Sequence, residues 1–232
     1  FAQVRGVAAQ PWTVSGLADD ALFAAVGDAF LFSAYSPESG EELWRTDGAE
    51  SGTHLLLDIQ PGPASGITPI NRQMMTLNGL MLFSADDGAT GVELWRSDGT
   101  LTGTLPLKDA MPGADGSYPN RLTGAGARAY FTSSISPTLT ALWVTDGTPA
   151  GTQELRRLAT IDTLFGRSDG VLLFGAAEVG ADIELWVSDG TPAGTMQLAE
   201  LQPGAAASFP NGFLELPNAQ VLFAAQAGQS IG

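Results

Sequence analysis

Four aspartates, Asp47, Asp98, Asp146 and Asp189, each precede a glycine and follow a tryptophan by three residues: Trp44, Trp95, Trp143 and Trp186. Carboxylates at a fixed interval could serve as calcium ligands, and tryptophan faces could stack on the C–H face of a pyranose. A hard cation wants about six to eight oxygens, and one aspartate per unit supplies too few. The chemistry of Asp-Gly instead predicts a turn in which the carboxylate accepts backbone N–H groups and glycine takes positive φ. The tryptophans recur inside apolar strands, which assigns them to packing between units.

Other reactive side chains are sparse. Arg45 and Arg96 share one repeat position, where later units carry Val144 and Val187, so no set of three arginines converges. His54 is the only histidine and has no serine or cysteine motif beside it. Asp86-Asp87-Gly88 and residues 38–42 read as solvated acidic loops. No nucleophile elbow, phosphate loop or metal-spaced histidine pair is present. Folding can still bring two carboxylates together, as a glycosidase needs. Trp12, beside Pro11, lies outside the repeat and is a candidate exposed aromatic.

The elements that position these residues follow one pattern. Phe32, Phe83, Phe131 and Phe174 each lead their tryptophan by twelve residues, and the tryptophans are 51, 48 and 43 residues apart. Such a period marks an array of one supersecondary unit, near the roughly 40–50 residues of a four-stranded propeller blade. Each unit opens with a short strand such as 74–77 and a tight glycine or asparagine turn. A dense apolar strand follows, for example 80–83, of the kind that is covered on both faces. A variable polar loop, the Leu-Trp strand and the Asp-Gly turn come next, and Gly-Thr five residues on leads into a fourth strand. A link with Pro-Gly and a second proline (61–69, 112–119, 203–210) then crosses to the next unit. The third unit lacks this link and runs through residues 156–164 instead.

The reading is an all-β β-propeller of about five four-stranded blades in a single repeat domain, 1–232. The blades fall at about 12–59, 70–110, 120–159, 163–201 and 213–232. Phe223 begins a fifth unit whose tryptophan would stand at 235. Either residues 1–7 complete that blade beside 221–225, or the chain is part of a longer array.

The four phrases GEELWRTDGAESGT, GVELWRSDGTLTGT, TALWVTDGTPAGT and IELWVSDGTPAGT resemble the bacterial ELWxxDGT repeat family, over residues 12 to 232. The chain departs from that pattern at Ala141, which replaces the glutamate, and in the third link. The resemblance implies a β-propeller within a large exported or surface protein, hence a secreted or cell-surface location.

Composition narrows the function classes. A net charge of −15 with a single lysine, Lys108, opposes binding to nucleic acid and to anionic membranes. No apolar run approaches the roughly 18 residues of a membrane span. Cysteine is absent, which removes disulfides and thiolate sites. Three functions remain: a non-catalytic module presenting propeller faces to a protein partner or larger surface assembly, a glycan-binding lectin, and a glycan-active enzyme. No cofactor is called for, and calcium has no support beyond the spaced aspartates. The links carry the candidate ligand-contacting residues Ser65, Ser117, Tyr118, Asn120, Ser208, Phe209 and Asn211, with Trp12. The Phe, Trp and Asp rows and Phe223 are assigned to structure.

Overall fold

The computed structural model describes residues 23–67, 73–204 and 206–226. Every regular element among them is a β-strand. The chain divides into two compact units, Phe1–Pro119 and Asn120–Gly232.

The first unit holds two four-stranded antiparallel sheets, each laid down in chain order. One comprises β1 (Phe23–Val26), β2 (Ala29–Ser36), β3 (Gly40–Thr46) and β4 (His54–Leu57). The other comprises β5 (Met74–Leu77), β6 (Leu80–Asp86), β7 (Val92–Ser97) and β8 (Leu105–Lys108). The β5–β6 turn shows why consecutive strands pair so closely. Asn78 and Gly79 both take positive φ, 52° and 78°, as a two-residue type I′ hairpin requires.

The second unit repeats the plan with β9 (Asn120–Ala125), β10 (Arg128–Ser136), β11 (Leu139–Thr145) and β12 (Gln153–Leu158). Its other full sheet is β13 (Thr160–Gly166), β14 (Leu172–Ala177), β15 (Glu184–Ser188) and β16 (Met196–Ala199). A two-stranded sheet follows, β17 (Asn211–Glu215) with β18 (Val221–Ala224). Phe213 of β17 stacks on Phe165 of β13 and on Phe223 of β18, with 5.5 Å between ring centroids in each case.

The twelve-residue Phe–Trp interval is a hairpin register. Phe32 lies opposite Trp44, Phe83 opposite Trp95, Phe131 opposite Trp143 and Phe174 opposite Trp186. The last three pairs bring their rings to 5.9–6.5 Å between centroids. All four tryptophans are buried, as are Phe83, Phe131 and Phe174. Alternate residues of the second strands feed the core. Met81, Phe83 and Ala85 join Trp95, Leu31 and Leu43 in the first unit, while Leu172, Phe174 and Ala176 join Trp186, Tyr130 and Leu142 in the second. Both clusters therefore span two sheets, as period-two side chains on facing strands must. Trp44 and Trp143 are buried outside these clusters, with their indole N–H groups given to the Ala34 carbonyl and the Ser133 hydroxyl at 3.1 and 2.9 Å.

The segment expected to form a shortened link, 156–164, is instead strand almost throughout. β12 ends at Leu158, β13 starts at Thr160, and the N–H of the intervening Ala159 reaches the Ala177 carbonyl at 2.9 Å. The chain passes from one sheet to the next without a loop, and Arg156 lies 5.0 Å over the Trp186 ring. Residues 1–7 and Trp12 lie outside the described residues.

Candidate functional site

The Asp-Gly turns are closed hydrogen-bond circuits. Asp98 Oδ1 accepts the Thr100 N–H at 2.9 Å and its hydroxyl at 2.7 Å. The Thr100 oxygen in turn accepts the Gly103 N–H at 3.0 Å. Thr104 donates its hydroxyl to the Thr100 carbonyl at 2.7 Å, so the 2.7 Å contact between Ser97 and Thr104 must be donated by Ser97. Ser97 also accepts the Gly99 N–H at 3.1 Å. Gly99 sits at φ 84°, and a Cβ on Gly103 would overlap the Asp98 carboxylate. The Asp146 and Asp189 turns repeat every one of these bonds. In the first turn Ala49 replaces the threonine, and Asp47 accepts only the Ala49 N–H, at 2.9 Å. The threonine hydroxyl is the leading cause that holds Asp98, Asp146 and Asp189 below the usual carboxylate range. These carboxylates are engaged within their own turns, and among the described residues no three His, Cys, Asp or Glu side chains are placed to hold a metal.

A second constellation escaped the sequence reading. The glutamate before Leu-Trp is buried and grips the link that follows its sheet. Glu42 accepts the N–H groups of Ile59 at 2.9 Å, Gln60 at 3.3 Å and Gly66 at 2.6 Å. Gly66 must be glycine there, since a Cβ would lie 2.8 Å from the carboxylate. Glu93 accepts the Ala110 and Ser117 N–H groups at 3.2 and 2.9 Å and the Ser117 hydroxyl at 2.6 Å. Glu184 takes the Leu201 N–H at 2.8 Å. Burial pushes the Glu42 carboxyl up to about 7 and raises Glu93 as well, although both receive backbone donors that pull the other way. The third unit has neither glutamate nor link. Ala141 faces Arg157 within the β11–β12 pairing, where there is no loop for a carboxylate to hold. The signal was present in the sequence, since both departures occur in one unit.

This arrangement sorts the link residues predicted to contact a ligand. Ser117 and Ser208 are fully buried, so they are structural rather than available to a ligand. Ser208 gives its hydroxyl to the Ile183 carbonyl at 3.1 Å, and Ser65 accepts the Glu41 N–H at 2.9 Å. The next side chains point outward. Tyr118 is 45% exposed and Phe209 41% exposed, and both occupy the left-handed region at φ 49° and 45°. A non-glycine residue in that conformation costs on the order of 1 kcal/mol and persists because its surroundings impose it. Asn120 and Asn211 are exposed beyond the prolines, with Asn211 donating to the Phe209 carbonyl at 2.8 Å. The first link places buried Ile67 after Gly66 instead of an exposed aromatic.

Other candidates have plain positions. His54 is exposed on β4, opposite Arg45. Asp182, Glu184 and Glu200 line an open cleft of about 340 Å³ with Gln197; Glu184 accepts the Leu201 N–H through Oε2, while its Oε1 is buried without a hydrogen-bond partner among the described residues. Among the described residues no helix is long and apolar enough to cross a membrane.

No protein-family model matches the chain, and no curated protein matches it in sequence. Among solved structures it is similar to TolB from Acinetobacter baumannii, at 11% identity and a TM-score of 0.43, over 89% of this chain and 49% of that one. It is also similar to an uncharacterized protein of Listeria monocytogenes EGD-e, at 13% identity and 0.43, over 88% and 61%. An endo-arabinase from Bacteroides thetaiotaomicron is similar at 10% identity and 0.36, over 91% and 89%. The chain spans about half the length of the TolB structure. At these identities and TM-scores the likeness carries no argument, and the fold stands on the strand pairing above.

Proposed function

We propose that the chain is a non-catalytic β-propeller module of an exported bacterial surface or extracellular protein, which presents its links to a protein partner. One observation carries this reading: Tyr118 and Phe209 stand exposed at the same repeat position, on links tied back to their own sheets by buried groups. Aromatic anchors held in advance of contact lose little entropy on binding and are typical of interface hot spots. The repeated aspartates of the Asp-Gly turns are engaged within those turns. The resemblance to ELWxxDGT repeats supports the exported location.

A photo-crosslinking amino acid at 118 or 209 tests this in bacterial culture. Both positions should yield one discrete protein adduct, competed by excess unmodified chain and not by a Tyr118→Ser/Phe209→Ser variant. Absence of a competable adduct overturns the reading.

The same two aromatics favour glycan binding as a second reading, because an exposed ring at each of two equivalent links would give repeated stacking sites. Saturable glycan binding that Tyr118→Ser and Phe209→Ser each weaken would establish it in place of the first. Flat responses across a broad glycan panel would remove it.

A further inference from the structure

The glutamate before Leu-Trp is not equally satisfied in the three sheets that carry it. Glu42 and Glu93 each receive donors on both carboxylate oxygens, and one donor comes from the residue 24 positions on, Gly66 or Ser117. At the same interval after Glu184 stands Ser208, and it turns elsewhere. Its N–H and its hydroxyl both go to the Ile183 carbonyl, at 2.8 and 3.1 Å. Glu184 keeps the Leu201 N–H on Oε2, while its Oε1 is buried with no donor among the described residues. Glu184 is only 4% exposed, and it lines the cleft shared with Asp182, Gln197 and Glu200. Asp182 is half-buried and Glu200 exposed, so the buried Glu184 lies at the floor. Among the described residues none of these three carboxylates pairs with a lysine, arginine or histidine.

Carboxylates gathered in one cleft repel one another, and a buried acceptor without a donor is unfavourable. A cation that donates hydrogen bonds relieves both. We propose that this cleft binds a primary alkylammonium group, with Glu184 Oε1 as its inner acceptor and Asp182 and Glu200 as flanking charges. An ammonium carries three N–H donors at the end of a slim stem, so one can reach the floor while the others face the mouth. A guanidinium is a planar fork that seeks both oxygens of one carboxylate, and Oε2 of Glu184 already holds the Leu201 N–H. A divalent metal needs several oxygens at once, and among the described residues no three acidic side chains are placed for that. A lysine side chain and a free alkylamine share the chemistry required. Neither Tyr118 nor Phe209 lines the cleft, so this site and the proposed function can fail separately.

The probes are the capped peptide Ac-Gly-Lys-Gly-NH2 and n-butylamine, each titrated into the isotope-labelled intact chain at low salt. Saturable shifts are expected at the backbone amides of Glu184 and Leu201. Peptides with norleucine or Nε-acetyl-lysine in place of lysine should bind at least tenfold more weakly, and the arginine peptide at least fivefold. Glu184→Gln should abolish the shifts. Asp182→Asn/Glu200→Gln leaves the buried acid in place and should weaken binding at least fivefold at an unchanged urea midpoint. Glu38→Gln/Glu50→Gln removes the same charge from exposed positions of the first unit and should leave binding unchanged. A lysine peptide that binds at least fivefold more tightly than butylamine identifies a protein's lysine as the ligand, and equal affinities identify free amines. Equal losses from the two double variants would show a response to net charge alone and overturn the site. Absence of saturable shifts, or displacement of the peptide by equimolar calcium, overturns it as well.

Discussion

The Glu93 carboxylate and Ser117, 24 residues apart, are joined by two hydrogen bonds, one from the serine N–H and one from its hydroxyl. The side chain next to that serine is the exposed Tyr118, so a buried acid in β7 fixes the position of an aromatic ring at the surface.

Glu93→Ala should lower stability by about 2–4 kcal/mol, because it leaves a hydroxyl and backbone donors buried without their acceptor. Ala141→Glu should cost about 3–5 kcal/mol, since the third unit offers no link to satisfy the charge. Urea midpoints of the two variants check both. An Ala141→Glu chain as stable as the wild type would show that the glutamate does not depend on a link.

Stability should depend on pH in opposite senses at the two kinds of acid. Glu42, with its carboxyl near 7 in the folded chain and about 4.5 when unfolded, keeps a proton that the unfolded chain has released. Its contribution is therefore present below about pH 4.5 and lost as pH rises toward 7, on the order of 2–3 kcal/mol. Glu93 acts in the same direction. Asp98 and Asp146 are lowered, so their contribution is present above the ordinary carboxylate range and lost as pH falls below it. Denaturant titrations should thus find maximal stability near pH 4–5, and Glu42→Gln should flatten the decline between pH 5 and 7.

The first Asp-Gly turn lacks the threonine that completes the other three. Ala49→Thr should supply both missing hydroxyl bonds and raise stability by about 0.5–1.5 kcal/mol. Asp98→Ala should correspondingly cost more than Asp47→Ala. Equal losses from the two aspartates would mean that the hydroxyl circuit adds nothing.

Trp95 belongs to the core shared by the two sheets of the first unit, and Trp95→Ala should cost about 3–5 kcal/mol. A change in midpoint below a third of that would remove the inter-sheet role.

Tyr118→Gly relieves a left-handed backbone at φ 49°. It should leave stability unchanged or raise it by up to about 1 kcal/mol, while weakening the chain's competition for the crosslinked adduct expected at 209. Loss of stability would show that the ring packs rather than binds.

The strand order and the hairpin registers were legible because they rest on local chemistry. An apolar run, an Asn-Gly turn and a constant Phe–Trp interval define a hairpin wherever they occur, and strands such as β5 appear at the bounds expected from sequence. The Asp-Gly turns were legible for the same reason. The glutamate contacts were not, since Glu42 and Gly66 are 24 residues apart and meet only when the link folds back. The burial of Ser117 beside an exposed Tyr118 was equally hidden, because sequence marks both as polar or aromatic link residues and does not say which side each faces. The third crossover is short, as the missing Pro-Gly implied, but residues 156–164 are not a loop, since two strands run on there almost without interruption.

The coupling of each glutamate to the link that follows it bears on how such arrays grow. A tandem duplication that joins non-equivalent positions between Glu93 and Ser117 would separate a carboxylate from its donors. Breakpoints outside that stretch carry acid and loop together as one heritable cassette. The unit containing Ala141 has neither partner, so this constraint does not bind it.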